Sequence, residues 1–76
     1  MRIEVLGMGC AKCASLYETA RQAAAELGLD AEVVKVEDIR EIMKYAVLQT
    51  PALVVDGEVR VAGRVPGKEE IKGFLR

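Results

Sequence analysis

The sequence predicts an α/β fold: a four-stranded mixed sheet flanked by helices, in the order β-α-β-α-β-β-α. Three observations carry it. Short β-branched runs alternate with segments of helical periodicity. A long helical segment separates the first two strand-like runs, which calls for a parallel pair with a right-handed crossover. Asp56-Gly57 stands between the last two such runs and signals an antiparallel hairpin.

Ile3 to Leu6 is a short apolar stretch with one acid and reads as the first strand; Gly7-Met8-Gly9 breaks it. From Ala11, residues Cys13, Leu16, Tyr17, Ala20, Ala24 and Leu27 recur at steps of three and four, marking the buried face of a helix. Lys12, Glu18, Arg21, Gln22 and Glu26 fill its other side. Gly28 stands where a left-handed stop belongs, and Leu29 supplies the apolar contact after it. Ala31 to Val36 is the second strand. Asp38 and Glu41 fit a capping box, behind which Ile39, Ile42, Met43 and Ala46 form a second, shorter buried face. Thr50-Pro51 ends that region, Ala52 to Val55 is the third strand and Val59 to Ala62 the fourth. Gly63 and Pro66-Gly67 mark a loop. Glu69 and Glu70 suit the first turn of a last helix, Lys72 and Arg76 its end, and Ile71, Phe74 and Leu75 face inward.

With 76 residues, a single domain over 1–76 is expected, close to the lower size limit for a self-sufficient core. The apolar share of 51% is too high for a disordered chain, and with two Tyr, one Phe and no Trp the core must be aliphatic. A net charge of −1, with acids and bases interspersed and no basic stripe, excludes nucleic acid as a partner. No apolar run approaches the roughly 18 residues of a membrane helix. Met1-Arg2-Ile3-Glu4 reads as a strand rather than a leader, so a cytoplasmic protein is expected. The chain has no histidine, which removes Cys/His zinc sites and every Ser-His or Cys-His catalytic pair. Thiols, carboxylates and lysines remain.

The thiols are Cys10 and Cys13, in Cys10-Ala11-Lys12-Cys13 between the first strand and the first helix. Cys10 falls at or just before the helix N-terminus, where free N–H groups and the helix dipole favour a thiolate. Cys13 falls one turn further on, on the same side. The thiolate is the attacking species: a thiol of pKa about 8.5 is about 3% ionised at pH 7, one of pKa near 7 about half. Lower intrinsic nucleophilicity takes back much of that gain, but a thiol of low pKa also leaves a mixed disulfide readily. A purely structural disulfide is the weaker reading, because a four-residue loop stabilises by only about 2 kcal/mol.

Cys10-Ala11-Lys12-Cys13 after the first strand, Thr50-Pro51 before the third, and the Val55-Asp56-Gly57 hairpin resemble the thioredoxin superfamily, and within it the small bacterial and archaeal members. The resemblance covers essentially the whole chain. It implies a minimal thioredoxin fold and a thiol–disulfide oxidoreductase with no bound cofactor. It implies that Cys10 is the exposed nucleophile, Cys13 the buried resolving thiol, and Pro51 a cis-proline facing both. Gly9, Thr50, Pro51 and Gly63 would form the substrate groove, with Thr50 offering backbone hydrogen bonds to an extended peptide. The implied partners are disulfide-containing proteins and a thioredoxin-reductase-like electron donor. Nothing in the sequence demands an oligomer, and a monomer is expected. The chain departs from the larger members: Gly9 replaces an aromatic, the motif lacks a proline, and a single Gly63 stands where glutaredoxins carry a glycine pair. Their buried acid has no certain equivalent here; Glu4 reads as an acid near the sheet end with solvent access.

A second reading comes from Gly7-Met8-Gly9-Cys10-Ala11-Lys12-Cys13, which is similar to the metal-binding loop of heavy-metal-associated copper chaperones. Two thiolates suit Cu(I). Those domains run β-α-β-β-α-β, so this likeness covers half the chain, and Met8 reads better as a packed loop residue. Tyr17 is expected to pack beside the active site. The charged run Lys68, Glu69, Glu70 and Lys72 is expected to be a solvated helix face.

Overall fold

The first strand, β1 (Arg2–Leu6), runs through the centre of the sheet, and the other elements follow from its neighbours. The computed structural model describes residues 1–9 and 11–76, so Cys10 lies outside the described residues. After β1 come α1 (Ala11–Glu26), β2 (Glu32–Val36), α2 (Ile39–Met43), β3 (Ala52–Val55), β4 (Glu58–Ala62) and α3 (Lys68–Leu75). The strand order is β2-β1-β3-β4. β1 pairs parallel to β2 with Val5 opposite Lys35, and antiparallel to β3 with Val5 opposite Leu53. β3 and β4 form the hairpin, with a register shift between Leu53 and Val54. This is the predicted element order, and it is not the β-α-β-β-α-β order of the metal-carrier reading.

Side chains alternate across the sheet, and the two faces receive different helices. Ile3, Val5, Leu53, Val55 and Val61 meet α1 and α3 through Leu16, Ala20, Ala23, Ala24, Ile71 and Leu75. The alanines leave room for α1 to lie close to the strands. Leu6, Ala52 and Val54 point to the opposite face and meet Ile42 of α2.

Local signals end the elements as chemistry requires. Gly28 has φ 68, with Leu29 N–H donating to Ala24 and Gly28 N–H to Ala25: a Schellman ending. Asp56 and Gly57 have φ 49 and 86, and Val55 pairs with Glu58 across a two-residue turn. The Asp38 carboxylate accepts from Arg40 N–H at 2.9 Å, while Glu41 turns to Lys44 instead of closing the expected box.

Three expectations need correction. Of the α2 residues predicted to face inward only Ile42 is buried; Ile39 and Met43 are 50% and 67% exposed. Ala46 lies beyond this five-residue helix with φ 56, because the chain must turn back towards β3. Met8 is 64% exposed rather than packed, since the Gly7–Gly9 bend carries it away from both faces. The charged run is only partly a solvated face: Lys68 and Lys72 both reach Glu26 of α1, at 2.5 and 2.7 Å, and Glu70 pairs with Arg64. Lys68 first, then Lys72, hold the Glu26 carboxyl below its ordinary range.

Candidate functional site

The C-terminal end of β1 and the first turn of α1 meet at Cys13. The helix begins at Ala11 with no acid in its own first turn. Cys13 is 7% exposed, on the same helix face as Leu16 and Ala20. Beneath it the chain leaves β1 through Gly7, whose N–H donates to the Val36 carbonyl at 3.0 Å. Gly7 is buried directly against the Cys13 side chain, with Thr50 beside it.

A cavity of about 120 Å³ opens beside Cys13, lined by Val5, Gly7, Gly9, Cys13, Ala14, Lys35 and Glu37. Lys35 lies with its ammonium 4.8 Å from the centre of the Tyr17 ring, a cation–π contact on the flank of α1. Tyr17, half-buried against the core, therefore reaches the site through Lys35. Gly9, exposed at φ 76, borders the same cavity on the Glu37 side.

The other expected groove residues stand just before β3 and just after β4. The Thr50–Pro51 peptide is cis, as the resemblance implied. Thr50 is exposed and Pro51 buried. Gly63, at φ 86, donates its N–H to the Pro51 carbonyl at 2.9 Å and abuts Gln49. Gly9 thus borders the cavity beside Cys13, Pro51 and Gly63 meet through their backbone hydrogen bond, and Thr50 stands next to Gly7. The expectations for Cys10 fall outside the described residues.

Glu4 corrects the sequence reading. It is 9% exposed, not a solvated acid at the sheet end. Strand alternation turns it to the α2 face, where Tyr45 covers it. The Tyr45 hydroxyl donates to Glu4 Oε2 at 2.9 Å and contacts Oε1 at 3.0 Å, and Arg2 Nε donates to Oε1 at 3.2 Å. The hydrogen bond to Glu4, helped by burial, pushes the Tyr45 hydroxyl above its usual pKa of 10.0.

Three residues at this site escaped the sequence reading: Gly7, Lys35 and Glu37. Gly7 had a signal, since a glycine ending an apolar strand can mark close approach of another group. Lys35, a lone charge among strand valines, showed only which strand edge meets water.

Comparison with known proteins bears on the whole chain. A family model described as a thioredoxin domain matches residues 1–76. A thioredoxin of Methanothermobacter thermautotrophicus is 45% identical over 75 residues, covering 99% of this chain and 97% of that protein. A thioredoxin of Methanocaldococcus jannaschii is 43% identical over 74 residues, covering 97% of this chain and 85% of that protein. With the strand order and the Cys-x-x-Cys spacing of the sequence in agreement, the chain belongs to the thioredoxin family, whose chemistry is thiol–disulfide exchange.

Proposed function

We propose that residues 1–76 act as one domain that reduces protein disulfides through Cys10 and Cys13. The Cys10 thiolate attacks a substrate disulfide and displaces one thiolate, leaving a mixed disulfide on Cys10. Cys13 then attacks the Cys10 sulfur and releases the second substrate thiolate. The dithiol has lost two electrons and the substrate disulfide has gained them, so a separate reductase must restore the pair. The observation that carries this reading is the burial of Cys13 in the first turn of α1, one turn from Cys10 in sequence. A thiol so shielded suits resolution within the protein better than first attack on a large substrate. Gly9, Thr50, Pro51 and Gly63 contribute the surface on which an extended substrate segment lies, with the Thr50 backbone as its hydrogen-bonding partner.

No helix among the described residues is long and apolar enough to cross a membrane. A monomer working in the cytoplasm on disulfide-containing proteins, with a thioredoxin-reductase-like donor, completes the proposal. The named relatives are thioredoxins and support it.

The test uses a redox titration and two variants. In defined thiol buffers the pair should cycle reversibly with two electrons between about −180 and −300 mV. Cys10→Ser should abolish substrate reduction, and Cys13→Ser should accumulate the mixed disulfide, seen by mass after alkylation. Normal turnover by Cys13→Ser would sink the division of roles. Failure to cycle in that range would sink the redox assignment itself.

A further inference from the structure

Gly7 presents a steric demand that its backbone conformation does not explain. Unlike Gly9, Gly28, Gly57 and Gly63, it has no positive φ, so an L-residue could adopt its backbone. What excludes a side chain is space. A Cβ at position 7 would overlap the Cys13 sulfur, would stand 3.1 Å from Cys13 Cβ, and would lie 3.9 Å from Thr50 Cβ. Neither backbone can readily retreat. Gly7 is tied to β2 through its N–H to Val36, and Cys13 belongs to a helix seated on the sheet by Leu16 and Ala20. An added methyl would therefore be accommodated by rotating the sulfur out of its place.

We infer that Gly7 is a positioning residue for the resolving thiol: the missing side chain at the end of β1 is the seat of the Cys13 sulfur. This rests on the reading of Cys13 as the resolving group. Attack on the mixed disulfide requires the incoming sulfur in line with the bond it breaks, and a displacement of about 1 Å can slow such a step by about 100-fold. First attack by Cys10 makes no use of that seat. Gly7 thus separates the two halves of the reaction.

The test is a stopped-flow reaction of excess reduced protein with the aromatic disulfide dithiobis-nitrobenzoate, whose coloured thiolate reports each step. The Cys10 thiolate displaces the first aromatic thiolate; Cys13 displaces the second and forms the Cys10–Cys13 bond, its proton passing to solvent. Wild type should release two equivalents. Gly7→Ala should release the first within about twofold of the wild-type rate and the second at least about tenfold more slowly. Gly73→Ala, where an added Cβ meets nothing within 4 Å, should behave as wild type. Release of both equivalents at wild-type rates by Gly7→Ala would overturn the inference. A wild type that stops at one equivalent would instead overturn the reading of Cys13, and this inference with it.

A stability cycle keeps the question decidable if Gly7→Ala folds poorly. The fall in melting temperature caused by Gly7→Ala should shrink by at least half when position 13 is also changed, as Cys13→Ala, because the sulfur that the methyl strikes is gone. An equal fall in both backgrounds would place the conflict elsewhere and overturn the inference.

Discussion

Glu4 shows what a single residue's surroundings do to its meaning. In sequence it is an acid in an apolar strand; in the fold it is a buried carboxylate held by the Tyr45 hydroxyl and Arg2. Hydrogen bonds to a charged group contribute about 1.5–3 kcal/mol each. Tyr45→Phe should therefore lower stability at neutral pH by about 2 kcal/mol, read from denaturant midpoints. The pH dependence has a definite sign. The folded-state pKa of Tyr45 is raised, so the native state holds the proton more tightly than the unfolded chain. This contribution is complete below pH 10.0 and is lost as pH rises through the folded value. The gap between wild type and Tyr45→Phe should narrow in melts above pH 10.0; a gap that widens there would contradict the Glu4–Tyr45 bond. Nothing in the one-dimensional pattern pairs residues 4 and 45, which are brought together only when the loop after α2 folds over the sheet.

At the scale of elements, boundaries set by local chemistry were readable. Gly28, Asp56-Gly57 and the Asp38 cap act through backbone conformation and hydrogen bonds within a few residues, so sequence neighbours suffice to place them. The Gly28 stop gives a direct check. Its φ of 68 costs an L-residue about 1–2 kcal/mol, and Gly28→Ala should lose about that much stability with an unchanged denaturant slope. No Cβ clash would add to it, as nothing lies within 4 Å. The second helix was less readable. Ile39, Ile42, Met43 and Ala46 have helical spacing, yet only Ile42 meets the sheet. The strand face below offers Leu6, Ala52 and Val54, which is too small a platform to cover four side chains. Spacing describes a possible face; the partner surface decides how much of it is buried.

The whole molecule relies on one principal core between the sheet and the α1–α3 pair, with a smaller cluster under α2. Leu53 lies at the centre of the larger one, fully buried on β3. Leu53→Ala should cost about 2–5 kcal/mol, through lost burial and the cavity left behind. Domains are stabilised by only about 5–15 kcal/mol in total, so the variant should melt far below wild type or fail to fold at 37 °C. A small shift in melting temperature would mean that the core relaxes around the hole. The same core explains the site's precision. Leu16 and Ala20 seat α1 on the sheet, and that seating presses Cys13 against Gly7. Stability and the packing of the Cys13 thiol therefore share residues.

By itself, the sequence determined the order of strands and helices and the turn and cap positions. Each depends on periodicity or on contacts between near neighbours. Only the tertiary structure decided that Glu4 is buried against Tyr45, that Lys35 and Glu37 border the cavity beside Cys13, and that Gly7 leaves the space the sulfur occupies. Those facts join residues far apart in the chain, and their geometry depends on strand register and on how closely α1 approaches the sheet, which hydrophobic pattern does not encode.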